Sequence, residues 1–485
     1  MSQQRHSADD VHVDVGGSDM EHVPEIPSKK RGTGCCCKCM CISAAVLVLS
    51  CVCLVVAALA LGSHTPITVY VDPSGSDTNP GTETNPIASL SLLSSVALGL
   101  GDTVLFHRGS IHRGHLTLPP WSLLQRIHAT LTGNDAGIEY GAYGDAAADP
   151  PVLYGSIDAL EVVGVTAASV DGYTVYTFPL EGGYDIGNVV LDSGAGIETG
   201  RKVFSVDALS SALDYYYDTA ADTVTLVLST PLSSYTMVEL CETEHILTVT
   251  GAHPPISVTG LDFMYGAAHG ISATDVKGLT VHDCHFSWLG GGYLHTSDTG
   301  EQVRFGNGVE IWNSGRDIEV SDCVFDQIFD TAVTNQGSST FARQTNISYT
   351  DNTISKCGMA GFELWLHGRF SKTAGISFSG NTVSDIGSGW HLTQDDREGA
   401  GLGHFVTSFG NVGSRSDIDI SSNTFTDAFN ASGTSSVLLV SDTDTDPGSD
   451  TLVQAVREGG NTYSGVDEWG YSTAQGVVSV LDGPV

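Results

Sequence analysis

GLTVHDCHF (Gly278–Phe286) is one version of a phrase that recurs along the second half of the chain and decides its fold. Each version is a short alternation of apolar and polar residues, followed by a bend and a final apolar residue. Alternation with a period of two predicts a β-strand with one buried face. The other versions are PISVTGLDF (Pro255–Phe263), DIEVSDCVF (Asp317–Phe325), NISYTDNTI (Asn346–Ile354), GISFSGNTV (Gly375–Val383), DIDISSNTF (Asp417–Phe425) and, more loosely, VREGGNTY (Val456–Tyr463).

A second strand phrase precedes most of these versions. Two short strands per repeat, with inserts of variable length, are typical of a parallel β-helix, in which each coil buries its apolar face against the next coil. The sequence therefore predicts about seven stacked coils between residues 255 and 463. The second phrase reads GISAT (Gly270–Thr274), GVEIW (Gly308–Trp312), AVTNQ (Ala332–Gln336), GFELW (Gly361–Trp365) and GLGHF (Gly401–Phe405).

One polar position of the repeat is filled by asparagine in four coils. Stacked asparagine amides can hydrogen-bond from coil to coil, so we expect a ladder of Asn352, Asn381, Asn423 and Asn461. Cysteine fills the same position in two coils. The pair is either a disulfide or metal site or two small buried thiols that replace asparagine; it consists of Cys284 and Cys323.

The region before the repeats carries a family resemblance. YVDPSGSDTNPGTETNPIASL (Tyr70–Leu90), GDTVLFHRGS (Gly101–Ser110) and GIEYGAYGDAAADPPVLYGS (Gly137–Ser156) resemble the N-terminal cap of the pectin-lyase-like proteins, and YYYDTAADTVTLVL (Tyr215–Leu228) resembles their β-rich insertion. The resemblance implies an all-β protein built on a right-handed parallel β-helix, with carbohydrate as the default ligand. It predicts a cap and first coils over 68–156, an insertion over 157–243, the β-helix over 244–463 and a C-terminal segment over 464–485.

A membrane anchor is predicted at Ile42–Leu61, which is a run of 20 residues without charge. Four cations lie just before it and none follows until Arg108, so residues 1–41 are expected in the cytoplasm and the β-helix outside the cell or in a lumen. A cleaved signal peptide is the alternative, because Ala58-Leu59-Ala60 resembles a cleavage site. Residues 1–34 are expected to be a disordered tail.

Two sequons, which begin at Asn346 and Asn430, agree with an exported domain. The formal net charge of −36 predicts that nucleic acid is not a partner, because such a surface repels it. We expect a monomer. Cysteines beside the basic residues predict S-palmitoylation, with a metal-binding or fortuitous tract as the alternative; they are Cys35, Cys36, Cys37, Cys39 and Cys41.

Stacking the second phrase coil on coil predicts two outward rows. The first is Ser272, Glu310, Thr334, Glu363 and Gly403, and the second is Thr274, Trp312, Gln336, Trp365 and Phe405. Glu310 and Glu363 lie two coils apart, about 9–10 Å by strand spacing. Inverting glycosidases hold two carboxyl groups at a similar separation, which makes both residues catalytic candidates. The aromatic row is expected to form a platform for sugar rings.

Loop lengths predict a cleft over these coils. Ser287–Asn307 and Ser384–Ala400 are long, whereas the two connections between them have six residues each. The long loops would be walls of a cleft whose floor includes Asn335. The second wall adds His391 and Arg397 as an acid–base pair, and Asp395 and Asp396 as calcium ligands. Further substrate-binding candidates are Gln336, His367, Arg369 and Trp390.

These features support an enzyme that cleaves a polysaccharide, either a glycoside hydrolase or a polysaccharide lyase. The region after the anchor has 15 Lys+Arg against 50 Asp+Glu, so a neutral glycan is expected to fit better than an anionic one. A cell-surface protein that binds glycans without cleaving them, or one that serves in adhesion, is the alternative.

Overall fold

The fold was analysed in a computed structural model. It describes residues 64–118, 120–121, 123–132, 136–397, 403–409, 413–429, 436–441, 451–465, 468–473 and 476–479. The predicted anchor, the five juxtamembrane cysteines and Asn430 lie outside these residues. Within the part of the chain described, no helix is long and apolar enough to span a membrane.

The core is a parallel β-helix with three strand ladders, and most coils contribute one strand segment to each ladder. The first ladder is here called the site face. It contains the N-terminal halves of two long strands, Ile271–His282 and Val309–Ser321. Its other strands are Leu116–Leu118, Leu247–Thr250, Thr331–Gly337, Ala360–Leu366, His404–Phe409, Ser436–Ser441 and Glu468–Thr473.

The second ladder includes the C-terminal halves of the two long strands. Its remaining strands are Thr68–Val71, Thr103–His107, Ile138–Tyr143, Ile256–Thr259, Arg343–Thr350, Lys372–Ser379 and Ser414–Ser421. The third ladder has nine strands: Ile111–Arg113, Val152–Tyr154, Asp262–Met264, His285–Leu289, Val324–Ile328, Thr353–Ser355, Thr382–Ile386, Thr424–Ala428 and Thr462–Ser464.

The register of the third ladder matches the repeat alignment. The final apolar residues of successive phrases pair directly, from Phe263 with Phe286 through to Phe425 with Tyr463. Phe263, Phe286 and Phe325 stack inside the coils with ring centroids 4.8–4.9 Å apart, which is the spacing of neighbouring strands. Seven coils therefore follow one another between Asp262 and Ser464, as the sequence predicts.

An insertion between the second and third coils has its own antiparallel sheets and its own apolar core. One sheet has four strands: Ser156–Asp158, Ile186–Asp192, Ile197–Thr199 and Met237–Glu242. The other has five: Thr166–Val170, Tyr173–Pro179, Arg201–Lys202, Asp214–Asp218 and Thr223–Leu228.

Few elements remain outside these sheets. Gly292–Thr296 and Gln302–Phe305 form an antiparallel hairpin, and Gly476–Ser479 pairs antiparallel with the last strand of the site face. The α-helices are Leu90–Leu93, Leu123–Thr132 and Thr451–Glu458. The 3-10 helices are Val206–Ala208, Leu232–Ser234, Trp390–Thr393 and Asp395–Arg397.

The asparagine ladder forms as the sequence predicts. The side-chain amide of Asn352 donates to Asn381, Asn381 donates to Asn423, and Asn423 donates to Asn461, each over 2.9–3.0 Å. The residue before each ladder position has a left-handed backbone conformation. At Gly380, with φ 69°, this conformation causes no steric strain because glycine has no Cβ. The two cysteines at this position are buried and unbridged, so the thiol interpretation holds for Cys284 and Cys323.

Removal of one amide from the ladder is expected to destabilise the protein. Asn381→Ala removes the side-chain donor to the backbone carbonyl of Tyr349 and the acceptor for the backbone N–H of Asn352, both in a buried position. We expect a loss of about 2–4 kcal/mol in the free energy of unfolding, measured by urea denaturation. Asn461→Ala, at the half-exposed end of the ladder, is the matched control and should cost less. An equal or larger loss in the control would show that the ladder interior carries no special stability.

Candidate active site

Two buried carboxyl groups lie on one row of the site face. Strand pairing aligns Glu310 with Thr334, Thr334 with Glu363, and Glu363 with Thr407. These side chains point away from the apolar interior of the coils, but Glu310 is only 7% exposed and Glu363 only 1%. Carboxyl groups are rarely buried to this extent unless their neighbours compensate for lost hydration. The row is therefore a chemically distinct site rather than a solvated surface.

Glu310 is surrounded by groups that favour its ionised form. Its Oε1 lies 3.1 Å from Nε2 of His269, and its Oε2 accepts a hydrogen bond from the Ser272 hydroxyl at 3.1 Å. Burial alone acts to raise the pKa of Glu310, but the contacts with His269 and Ser272 outweigh it. The pKa of Glu310 therefore lies below its ordinary value. At neutral pH this residue is a carboxylate.

The tautomer of His269 follows from its other contact. The backbone N–H of Asn307 donates to Nδ1 of His269 at 2.9 Å, so that nitrogen must be the unprotonated acceptor. The ring proton is then on Nε2, where it donates to Glu310. His245 stacks on His269 with ring centroids 4.7 Å apart, and burial lowers the pKa of His245 to about 3. The histidine pair thus orients the carboxylate.

Glu363 has the opposite character. Burial, together with the nearby acids Asp330 and Glu310, raises its pKa to about 8 against the hydrogen bonds that Gln336 and Thr331 donate. Both donors contact the same oxygen, Oε2, at 2.8 Å from Gln336 and 3.5 Å from Thr331. The other oxygen, Oε1, accepts from no group in the described ranges and can carry the proton. At neutral pH Glu363 is therefore a carboxylic acid.

The pair has the division of roles that acid–base catalysis requires. Two carboxyl groups whose pKa values are pushed apart act as separate acid and base at one pH. Two strand spacings separate Glu310 from Glu363, which corresponds to about 9–10 Å between their positions on the sheet. Such a gap leaves room for a water molecule between the carboxyl groups, as in inverting glycosidases.

A third carboxyl group, Asp330, lies beside this pair and binds Arg397. The Arg397 guanidinium is 2.6 Å from Oδ1 of Asp330 and lies over the Phe329 ring at 4.1 Å. Burial raises the pKa of Asp330, and the charge of Arg397 partly offsets that effect. Arg397 is thus brought to the carboxyl cluster as predicted, although it acts there as the partner of Asp330 rather than of a histidine.

An aromatic row borders the carboxyl pair. Trp312 and Trp365 lean towards each other over Gln336, with ring centroids 5.9 Å apart and planes inclined by 27°. The exposed ring of His367 continues the row, 5.9 Å from Trp365 at 10°. At these separations the rings are offset, so part of each ring face is left uncovered. The predicted platform is thus a row of offset, at least partly exposed rings beside Glu363.

Two predicted positions on the row are wrong. Asn335 faces the interior of its coil, where it donates to Gln344 and accepts from Tyr349, so it cannot contact a ligand. In the strand His404–Phe409, Val406 pairs with Phe362 and sets the register. Thr407 therefore occupies the place predicted for Gly403. Phe405 is buried and stacks on Phe425 instead of joining the aromatic row. A strand with apolar residues on both faces leaves its register open until its pairing is known.

The two predicted walls meet instead of flanking an open cleft. Arg304 of the first wall is fully buried and donates to Gln394 and Asp396 of the second wall, at 2.9 and 3.0 Å. The Phe329 ring lies beneath, between Arg304 and Trp390. The walls therefore close over Phe329 rather than leaving an open cleft between them.

Two further residues of the second wall, Trp390 and His391, differ from expectation. Trp390 is buried and donates its indole N–H to the Gln327 carbonyl, so it is not presented to a sugar. His391 is buried as well, and burial with the nearby Arg397 charge lowers its pKa to about 3, which makes it a weak base.

Asp395 pairs with Arg201 of the insertion, whereas Asp396 pairs with Arg304. The two carboxylates therefore bind separate cations and do not form the predicted calcium site. No group of acidic, histidine and cysteine side chains in the described ranges is arranged to hold a metal.

The insertion supports the second wall. Gln394 accepts from the backbone N–H of Lys202 and donates to the carbonyl of Gly200.

Arg369 lies in an exposed turn with its guanidinium over Phe370, beyond His367. Asn346, in an exposed position of its strand, donates its side-chain amide to Asp317.

Sequence reasoning missed His269, Asn307 and Asp330 as members of the site. His269 precedes the GISAT strand and Asp330 precedes the AVTNQ strand, each within two residues of its start. The sequence signal that could have indicated them is a polar residue directly before a strand of the site face. Their contacts with Glu310 and with Arg397 span 41 and 67 residues and could not be read from the sequence.

The stacked parallel coils identify the architecture. This is a parallel β-helix. No protein-family model and no curated protein sequence matches the chain.

Several solved structures are similar to it. One is the complex of XylC with xylose, at 13% identity and a TM-score of 0.45, covering 77% of this chain and 68% of that one. Another is the polygalacturonase from Erwinia carotovora ssp. carotovora, at 12% identity and a TM-score of 0.32, covering 84% and 98%. A third is PfbA, a surface adhesin of Streptococcus pneumoniae, at 10% identity and a TM-score of 0.33, covering 81% and 91%.

Proposed function

We propose that this protein is a glycoside hydrolase held at the outer face of a membrane by Ile42–Leu61. The observation that carries the proposal is the pair of buried carboxyl groups on one row, with Glu363 protonated and Glu310 ionised at neutral pH. Neither state is needed for folding, because glutamine or threonine could fill either position with less desolvation cost. Keeping one acid and one base side by side is useful for catalysis.

The proposed reaction uses one water molecule. Glu310 removes a proton from this water, whose oxygen attacks the anomeric carbon of the bound sugar. The bond from that carbon to the leaving oxygen breaks, and this oxygen takes the proton from Glu363. Glu310 ends protonated and Glu363 ends ionised, and exchange with solvent restores both. Because water attacks from the side opposite the leaving group, the product has the inverted anomeric configuration.

The substrate is proposed to be a neutral glycan that lies along the aromatic row. Trp312, Trp365 and His367 offer partly uncovered rings beside Glu363, which suits the apolar faces of sugar rings. Two cations of the walls, Arg397 and Arg304, are already paired with Asp330 and Asp396. A site whose cations are paired in this way offers little to a chain of uronates.

The test uses the purified full-length protein and a panel of neutral and acidic oligosaccharides. We expect new reducing ends from a neutral glycan, no absorbance from unsaturated uronates, and inverted anomers in freshly formed product by proton NMR. Glu310→Gln should lower kcat by at least about 10³-fold. Glu319→Gln is the control, because Glu319 is an exposed residue of the same strand. Retained configuration, or full activity in Glu310→Gln, would refute the proposed mechanism.

Glycan binding without cleavage is the second candidate. It is favoured by the depth of Glu363, which a glycan would reach only past the half-buried Trp312, Gln336 and Trp365. A binding protein would retain a labelled glycan and leave it intact. Trp365→Ala would then weaken retention, whereas Glu310→Gln would not change it.

A further inference from the structure

Thr334 lies between the two carboxyl groups and has an unused hydroxyl. Its register neighbours are Glu310 on one side and Glu363 on the other. The residue is fully buried, and its Oγ1 has no hydrogen-bond partner in the described part of the chain. Buried hydroxyl groups nearly always have a partner, which in many proteins is an ordered water.

The position of Thr334 limits what that partner can be. One strand spacing, about 4.8 Å, separates it from Glu310. Two hydrogen bonds of about 2.8 Å each can bridge this gap through a single oxygen atom. A water held in this way would touch the base and lie on the path towards Glu363, where the anomeric carbon has to be placed.

We propose that the Thr334 hydroxyl positions the attacking water against Glu310. This inference rests on the proposed hydrolase function and names one further positioning residue for it. The hydroxyl donates to or accepts from the water, while Glu310 accepts the proton that the water loses. Thr334 itself exchanges no proton with the substrate.

The chain provides a matched control on the same row. Thr407 is also fully buried, and its hydroxyl likewise has no partner in the described ranges. It neighbours Glu363 on the side away from Glu310. Three strand spacings, about 14 Å, separate it from Glu310, so no single water can bridge the two. Thr407→Val and Thr334→Val thus make the same change in similar surroundings.

The kinetic test compares these variants on the glycan that the wild type cleaves. We expect Thr334→Val to lower kcat by about 10²-fold with KM changed less than about threefold, because the water is misplaced while the sugar still binds. Thr334→Ser should recover most of the rate, and Thr407→Val should stay within about threefold of the wild type. Equal kcat for Thr334→Val and wild type, or equal losses in both valine variants, would overturn the inference.

A structural readout separates this inference from the hydrolase proposal. A crystal structure of the protein should show an ordered water within hydrogen-bond distance of Thr334 Oγ1 and a Glu310 oxygen, and the Thr334→Val structure should lack it. If no glycan in the panel is cleaved, the hydrolase proposal fails, and the water still decides the assignment of Thr334. Its absence from the wild-type structure would overturn the assignment even in an active enzyme.

Discussion

Replacing Glu363 by glutamine is expected to stop glycan cleavage and, at pH 8, to stabilise the folded protein by about 3–5 kcal/mol. The first effect follows from the loss of the acid that protonates the leaving oxygen. The second follows because burial makes the ionised form of Glu363 costly, and its pKa is raised from 4.5 to about 8. Glutamine retains an oxygen that can accept from Gln336 and has no charge to desolvate.

The sign of the pH effect can be worked out from the two pKa values. Below pH 4.5 the folded and unfolded chains both hold the proton. Between pH 4.5 and about 8 only the folded chain holds it, so unfolding releases a proton and stability falls as the pH rises. Above about pH 8 the folded chain is ionised as well, and the loss is complete. The difference between Glu363→Gln and wild type should thus be small at pH 4 and largest from pH 8 upwards.

The measurement is urea denaturation of both proteins from pH 4 to pH 9. Activity should follow the same group, falling above about pH 8 as Glu363 ionises and at low pH as Glu310 takes up a proton. Glu301→Gln, on the exposed end of the hairpin, is the control and should change neither property. An inactive Glu363→Gln variant whose stability tracks the wild type at every pH would mean that Glu363 is not protonated in the native site.

Replacing Arg304 by methionine is expected to have the second large effect, a loss of about 3–5 kcal/mol in the free energy of unfolding. The Arg304 side chain donates to the carbonyls of Gly187 and Gly291 and to the side chains of Gln394 and Asp396. It therefore joins the insertion, the hairpin and the second wall at one buried point. Methionine fills much of the volume but removes the donor that these acceptors share and leaves the Asp396 charge uncompensated.

Thermal unfolding and limited proteolysis would measure this effect. We expect a lower midpoint and faster cleavage within 389–397, because that wall loses its main link to the hairpin. Adding Asp396→Asn should restore part of the loss by removing the unpaired charge. Arg316→Met is the control, since Arg316 is exposed and its only ion pair in the described ranges is with its neighbour Asp317. A midpoint unchanged from wild type in Arg304→Met would show that the walls are held together by other contacts.

The sequence predicts the coils well because each coil repeats the same local chemistry. An alternating strand, a bend residue and an asparagine recur at one position, and each coil contacts mainly its neighbours. The pairings of Phe263, Phe286 and Phe325 and the ladder through Asn381 follow from this periodicity. It also brings Glu310 and Glu363 onto one row. The predicted register fails in the strand His404–Phe409, because Phe405 and Val406 are both apolar and either could face inwards.

The state of the site was decided only by the tertiary structure. Both acids come from similar strands, yet one is ionised and the other protonated. His269 and Ser272 surround Glu310, whereas the donors to Glu363 among the described residues are Gln336 and Thr331. The walls were expected to stand apart, and Arg304 joins them across about 90 residues of sequence.

From the sequence alone it could be determined that this chain forms stacked coils and carries two carboxyl groups on one face. Local alternation and repeat spacing are enough for that, because strand direction and register follow from neighbours in the repeat. Burial, protonation and access depend on groups brought together from distant parts of the chain. The tertiary structure therefore decided which carboxyl group is protonated, which is ionised, and that the Thr334 hydroxyl has no partner among the described residues.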